Sequence, residues 1–295
     1  FLQAGDHVIS SRSLFGTTVG FINNIVTKFG IEVSHVSPTD LDEWKAAVKA
    51  NTKLLFLEPP SNPLNEVADL EQLADIAHQA GALLVVDNSF LTPILQQPLK
   101  FGADLSVHSA TKAIDGQGRV QGGVVVGRSE LMQQVQVYMN ACGMSMAPFH
   151  AWVLLSGVET LPLRIAQQCA NAEKIAEWLR RQPQIERVYH SGFADHPQAE
   201  LVKKQQSGGG IVLAFEVRGG QEAAWKLLDS VKIFSKTANL GDVRSTITHP
   251  WTTTHGRMQP EEKLAANIRP GLIRLSVGLE HIDDLIDDLQ QALNK

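Results

Sequence analysis

Cysteine is scarce in this chain: Cys142 and Cys169 are the only two among 295 residues. They stand far apart, so neither a disulfide framework nor a cysteine-built zinc site has support, and a reducing cytoplasm is the default expectation. No apolar run approaches the ~20 residues that a membrane-spanning helix needs. Excess positive charge is also lacking. Lys and Arg number 26 against 31 Asp and Glu, a net charge of −5, which gives no electrostatic case for nucleic acid or an anionic membrane. No charged-then-apolar leader is present, and the chain opens on Phe1 rather than Met; we read it as lacking its natural start. No GxGxxG follows the first strand signal, which counts against a nicotinamide-dependent dehydrogenase. Internal repeats and low-complexity segments are absent as well.

The residues that are present alternate between strand and helix patterns. Apolar residues make up 43% and charged residues 19%, a globular profile, and the length suggests about two domains. Strands are expected at 7–11, 31–36, 53–57, 82–86, 103–108 and 122–126. Between them, Ser13 is placed as the cap of a helix to Phe29. The pairs Asp40/Glu43 and Asp69/Gln72 open two more helices, ending near Ala50 and Gly81, in the capping-box spacing. Pro59, Pro60 and Pro63 end the third strand in a rigid turn. This βαβ alternation implies a largely parallel sheet with helices on both faces.

From 129 to Gln182 the pattern is helical, with breaks expected near Gly157 and Pro162. Strands at 185–190, 210–217 and 272–277 and helices at 198–205 and 221–231 then suggest a smaller α+β domain from about residue 159. Gly208-Gly209-Gly210 reads as a loop before a strand, not a phosphate cradle. In the last helix Ile282, Leu285, Ile286, Leu289 and Leu293 share one face, with carboxylates and amides opposite.

Open parallel sheets bind ligands beyond the carboxyl ends of their strands. One predicted strand delivers Asp87 there, and the next delivers His108, Ser109, Ala110, Thr111 and Lys112. A carboxylate, a lysine and two hydroxyls at one sheet edge suit pyridoxal phosphate (PLP). The lysine forms a Schiff base with the cofactor, the acid keeps the pyridine nitrogen protonated, and the hydroxyls of Ser109 and Thr111 bind phosphate. Spacing alone equally allows a turn-capping Asp and an exposed Lys.

Five segments shift that balance. VVDNSFLTP (85–93), SVHSATKAIDGQG (106–118), GGVVVG (122–127), EPPSNP (58–63) and IRLSVGLE (273–280) resemble, in order, the motifs of the Cys/Met-metabolism family of PLP enzymes. The resemblance implies PLP fold type I, the aspartate-aminotransferase-like α/β architecture. It would be divided here into a PLP-binding large domain, 1–158, and a C-terminal small domain, 159–295, in a homotetramer built as a dimer of dimers.

By matching motif, Lys112 is the Schiff-base lysine and Asp87 the pyridinium partner, with Ser109 and Thr111 as phosphate ligands. Asn62 corresponds to an amide bonded to the cofactor's phenolic oxygen, and Arg274 to the guanidinium that grips the substrate α-carboxylate. Asn239 assists that carboxylate. Phe15 stands where the family more often has a stacking Tyr, so the stacking face stays and the phenol is lost. Thr17 stands where methionine-degrading members tend to have Cys.

His108 is expected to be a satisfied strand histidine. The cluster His249, Thr252, Thr253, Thr254 and His255 makes a poor metal site, with two His six apart and no nearby acid. Instead, 238–257 and DGQGRVQGG (115–123) resemble the sulfhydrylase branch. The implied reaction is a γ-replacement that forms homocysteine from O-succinylhomoserine and sulfide. A cystathionine γ-synthase, an O-acetylhomoserine sulfhydrylase and a lyase of the same family remain open, as does a non-catalytic interaction protein of degenerate fold. Arg119 and Arg257 are the candidates for the succinyl carboxylate.

Overall fold

A computed structural model describes residues 1–295, which form two sheets with helices packed on them. The first sheet holds β1 (His7–Ser11), β2 (Glu32–Val36), β3 (Thr52–Leu57), β4 (Leu83–Asp87), β5 (Leu105–Ser109) and β6 (Gly123–Gly127) in the order β2-β1-β3-β4-β5-β6. Five strands run parallel, and β6 returns antiparallel beside β5. The helices of this half are α1 (Gly16–Asn24), α2 (Leu41–Ala47), α3 (Leu70–Gln79), the short α4 (Thr92–Leu95) and α5 (Ser129–Cys142).

Residue alternation assigns the faces of this sheet. Ile9, Leu55, Leu57, Leu84 and Val86 pack with Trp44 of α2 and with Leu70, Leu73 and Ala77 of α3. The intervening Leu54, Phe56, Leu83, Val85, Leu105 and Val107 lie on the other face with Leu131 of α5.

Next comes α6 (Pro148–Leu179), a single helix of 32 residues. It runs unbroken through Gly157 and Pro162, where breaks were expected. Val153, Leu161 and Ile165 pack in one core, Ala172, Ile175 and Leu179 in the next, and burial at both ends outweighs the hydrogen bond lost at Pro162. The chain breaks instead between α5 and α6, at left-handed Gly143 and at Pro148, the first residue of α6. A division at 158/159 therefore lies within α6.

The second sheet holds β7 (Ile185–Tyr189), β8 (Val212–Val217), β9 (Ser235–Lys236), β10 (Thr246–Thr248) and β11 (Leu272–Ser276), ordered β7-β8-β11-β10-β9. Its helices are α7 (Ala199–Gln205), α8 (Gly220–Ser230), α9 (Pro260–Ala265) and α10 (Ile282–Leu293). In α10 the apolar stripe packs on the core as expected. Asp288, on the expected polar side, is buried instead: its carboxylate accepts the N–H groups of Lys232, Ile233 and Phe234.

Helix starts differ in detail. Ser13 does not cap α1. Phe15 occupies that position, and the helix ends at Asn24, with a 3₁₀ turn over Val26–Phe29. Asp40 and Asp69 do accept first-turn N–H groups. Glu43 turns away to Arg12 and the Ser37 N–H, so no reciprocal box forms at α2, and α2 stops at Ala47.

Candidate active site

Four carboxyl ends of the first sheet meet at one edge. Glu58 follows β3, Asp87 ends β4, Lys112 follows β5, and the segment after β1 brings Phe15 over them. From the second sheet, Arg274 of β11 reaches across to Asn62 in the loop after β3. The site therefore lies between the two sheets.

Lys112 sits at a kink in the turn over Ala110–Ile114, with the non-helical φ −86° and ψ −125°. Its Nζ contacts aromatic faces, 5.5 Å from the centroid of Phe15 and 5.9 Å from that of Phe90. The amine thus stands uncommitted to any carboxylate. Asp87 Oδ1 takes both donors of Ser89, the N–H at 3.0 Å and the hydroxyl at 2.5 Å, which leaves Oδ2 without a protein donor. Ser89 Oγ also accepts from the Ser109 N–H at 2.7 Å, so one hydroxyl ties the ends of β4 and β5 together.

The Thr111 hydroxyl lies 3.2 Å from the Gly122 carbonyl and accepts from the Gly122 N–H at 3.0 Å. The Gly122 carbonyl also accepts the Thr111 N–H at 3.2 Å, so Thr111 ties the lysine turn to the next loop while its hydroxyl proton can turn to another acceptor. Ser109 keeps its hydroxyl free of protein partners.

Arg274 is fully buried. Nη1 donates to Asn62 Oδ1 at 3.2 Å, and Nη2 donates to the carbonyls of Ala238 at 2.7 Å and Asn239 at 3.4 Å. Nε is buried and has no partner. Burial pulls its pKa down to about 10, against the attraction of Glu58. With Asn62 Oδ1 turned to the guanidinium, the amide nitrogen is the group left to donate to a ligand. Asn239 meets Arg274 only through its backbone carbonyl, and its side chain is exposed.

Glu58 is the residue that sequence reasoning missed. It is 4% exposed. Oε2 accepts the Phe15 N–H at 2.9 Å, and Oε1 is buried without a partner. Burial first, then Asp87, push its carboxyl up to about 7, with Lys112, the Phe15 N–H and Arg274 opposing. Its place at the end of β3, on the same edge as Asp87, was the available signal.

The loop of 238–245 closes the site from the second sheet. Gly241 has φ +80°, and a Cβ there would lie 2.5 Å from the Ala113 nitrogen. Only glycine lets this loop reach the lysine turn.

His108, expected to be satisfied, is buried with Nε2 3.1 Å from Ser106 Oγ but Nδ1 without a partner, and burial lowers its pKa. His249 commits Nε2 to the Pro270 carbonyl and Nδ1 to Thr252. His255 pairs Nδ1 with Thr254 Oγ1, and burial lowers its pKa to about 4. Arg119 is bound to buried Asp115 through its backbone N–H and Nε. Its Nη2 donates to the Asp115 carbonyl at 3.3 Å. Arg257 lies exposed at the surface.

An uncommitted lysine, a carboxylate with one open oxygen and a buried guanidinium with an unpartnered N–H describe a site shaped for an anionic, nitrogen-bearing ligand. The chain matches the description "Cys/Met metabolism PLP-dependent enzyme" over residues 1–294.

This chain belongs to the Cys/Met-metabolism PLP-dependent enzymes.

Among family relatives it is 53% identical over 291 residues to an O-succinylhomoserine sulfhydrylase of Pseudomonas aeruginosa, covering 99% of this chain and 72% of that protein. It is 43% identical over 297 residues to an L-methionine gamma-lyase of Fusobacterium nucleatum, covering 100% of this chain and 75% of that one. The fold matches the crystal structure of a cystathione gamma lyase from Micromonospora echinospora with a TM-score of 0.97 and 35% identity, over 100% of this chain and 78% of that one. The architecture is the family's α/β PLP fold type I. No helix is long and apolar enough to cross a membrane.

Pyridoxal phosphate is the family's cofactor, and the open valences here fit it. Asp87 Oδ2 lacks a donor, which a protonated ring nitrogen supplies. Lys112 Nζ meets only the rings of Phe15 and Phe90, and the Ser109 hydroxyl has no protein partner.

Proposed function

We propose that this protein joins sulfide to the four-carbon skeleton of O-succinylhomoserine, releasing succinate and forming homocysteine. Bound pyridoxal phosphate supplies a carbonyl that captures the substrate amine and a ring that accepts an electron pair. Lys112 would hold its carbonyl carbon, Asp87 its ring nitrogen, Asn62 its phenolic oxygen and Ser109 its phosphate, with Phe15 against the ring face.

The chain's own residues then bind substrate and move protons. Arg274 takes the α-carboxylate through the N–H groups that its protein acceptors leave free. Lys112 Nζ, released by the substrate amine, is the base nearest Cα in this reading: it takes up the Cα proton and, after handing it on, takes one from Cβ so that succinate can leave Cγ, and it returns protons to both carbons once sulfide has added. The C–O bond at Cγ breaks with its electron pair going to succinate. The sulfide pair makes the new C–S bond. Phe15 has no phenol, so proton transfer falls to Lys112.

One observation carries the choice of sulfide. Of the three buried cations, Arg164 is bound to backbone carbonyls and Lys263 lies over the Trp251 ring, which leaves Arg274 for a substrate anion. A cysteine nucleophile would bring a second carboxylate and an ammonium close to the reacting carbon, where burial without partners is costly. Sulfide brings neither. The succinyl carboxylate, several bonds from Cγ, can stay in solvent. The likeness to the Pseudomonas aeruginosa enzyme supports the same reading.

The test is a competition with O-succinylhomoserine and equal sulfide and cysteine. Homocysteine should dominate. Mostly cystathionine would move the protein to the synthase branch, and faster turnover of O-acetylhomoserine would overturn the succinyl assignment. Release of a 2-oxoacid from methionine would instead favour a lyase.

The reading also implies a cytoplasmic homotetramer. Exposed Phe149, Trp152, Leu155 and Leu163 along α6 support subunit burial there.

A further inference from the structure

The guanidinium of Arg164 lies beneath the lysine turn. Its side chain comes from α6 and is buried, at 7% exposure. Nη1 donates to the Ala113 carbonyl at 2.7 Å. Nη2 donates to the Ile114 carbonyl at 3.1 Å and to the Gly157 carbonyl at 2.7 Å. Nε donates to Thr160 Oγ1 at 3.1 Å. No carboxylate is bonded to it. Burial lowers its pKa, with Asp115 opposing and Arg119 assisting.

A buried cation held only by neutral acceptors is expensive unless it has a task. The carbonyls of Ala113 and Ile114 follow Lys112 directly and end its turn, where partial negative charge gathers and backbone acceptors lack partners. We propose that Arg164 is a positioning residue for Lys112: it clamps these two carbonyls to α6 and so fixes where the lysine amine points.

The surrounding backbone is cut to fit the clamp. A Cβ on Gly157, one helical face from Arg164, would lie 2.3 Å from the Ile114 carbonyl oxygen. Gly116 has φ +72°, and a Cβ there would lie 2.2 Å from Arg164 Nη1. Both glycines allow a close approach that any side chain would block. Lysine could not replace Arg164 fully, because one ammonium cannot span the forked acceptors with the same geometry.

The proposal rests on Lys112 as the cofactor lysine, which peptide mapping of the wild-type protein settles separately. The test follows the rate at which cofactor-free protein captures pyridoxal phosphate, trapped by borohydride at residue 112. The variants are Arg164→Met, Arg164→Lys and Gly157→Ala, with circular dichroism and melting recorded alongside. Displacing a reacting group by about 1 Å costs on the order of 10²-fold, so folded R164M and G157A should capture roughly 100-fold more slowly. R164K should fall between them and the wild type. A merely structural role would lower the melting temperature and leave capture unchanged. Where R164M does not fold, R164K and G157A decide: a folded variant capturing at the wild-type rate overturns the proposal.

Discussion

Replacing Glu58 by Gln should remove a pH-dependent strain from the cofactor-free protein. Its carboxyl is raised from 4.5 to about 7, first by burial and next by Asp87. Below 4.5 both folded and unfolded chains hold the proton, and Glu58 contributes nothing. Between 4.5 and 7 the native state keeps a proton that the unfolded state has lost, so stability falls as pH rises. Above 7 the penalty is complete. One pH unit is ~1.4 kcal/mol, so a rise from 4.5 to about 7 corresponds to about 3 kcal/mol. Gln keeps an oxygen for the Phe15 N–H, now at 2.9 Å from Oε2, and carries no charge to bury.

The assay is urea denaturation of both proteins between pH 4.5 and 8. Near pH 4.5 their pH-dependent terms should differ by less than about 0.5 kcal/mol. At pH 8 the E58Q protein should have gained about 3 kcal/mol over its offset at pH 4.5. Stability curves that stay parallel across this range would refute the assignment of a raised Glu58.

Other outcomes follow from the same geometry. D87N should cut turnover severely while leaving the fold intact, since Ser89 can still donate to the amide oxygen but the ring nitrogen loses its anion; circular dichroism with steady-state rates checks both. S109A should weaken cofactor affinity, whereas T111V should also lower stability, by ~1–3 kcal/mol for the unmet Gly122 N–H; equilibrium dialysis and urea melts separate the two. F15Y places a phenol beside Lys112 and should raise release of a 2-oxoacid from O-succinylhomoserine when sulfide is withheld, measured by a coupled reductase. R274K loses the planar fork and should raise the KM for substrate at least tenfold.

Strand-end logic made much of the site legible. The apolar runs before Asp87 and Lys112 mark buried parallel strands, and two such strands in sequence must deliver their ends to one edge. The same logic reaches Glu58 after KLLFL, but the prolines that follow draw attention to the turn and away from the carboxylate. Ser89 and Arg164 were beyond it. Their roles depend on which backbone groups lie opposite them in space, and residue type does not encode that. Thr111 carries a contact that residue type does not announce: its hydroxyl accepts the Gly122 N–H and so ties the lysine turn to the next loop. Local propensity also misplaced the helix break. Gly157 and Pro162 disfavour a helix individually, but the burial of α6 in two cores decides the matter, and Gly157 is there for close packing on Ile114. The two-residue β9 and three-residue β10 are too short for periodicity to register.

The site stands or falls on which residue holds the cofactor. Purified protein loaded with pyridoxal phosphate, reduced with borohydride, digested and sequenced by mass spectrometry reports that residue directly. One modified peptide is expected, carrying the pyridoxyl mass on Lys112, and none in K112A. Modification of another lysine at full occupancy, or a K112A protein that keeps the visible absorption band and turnover, would contradict this expectation.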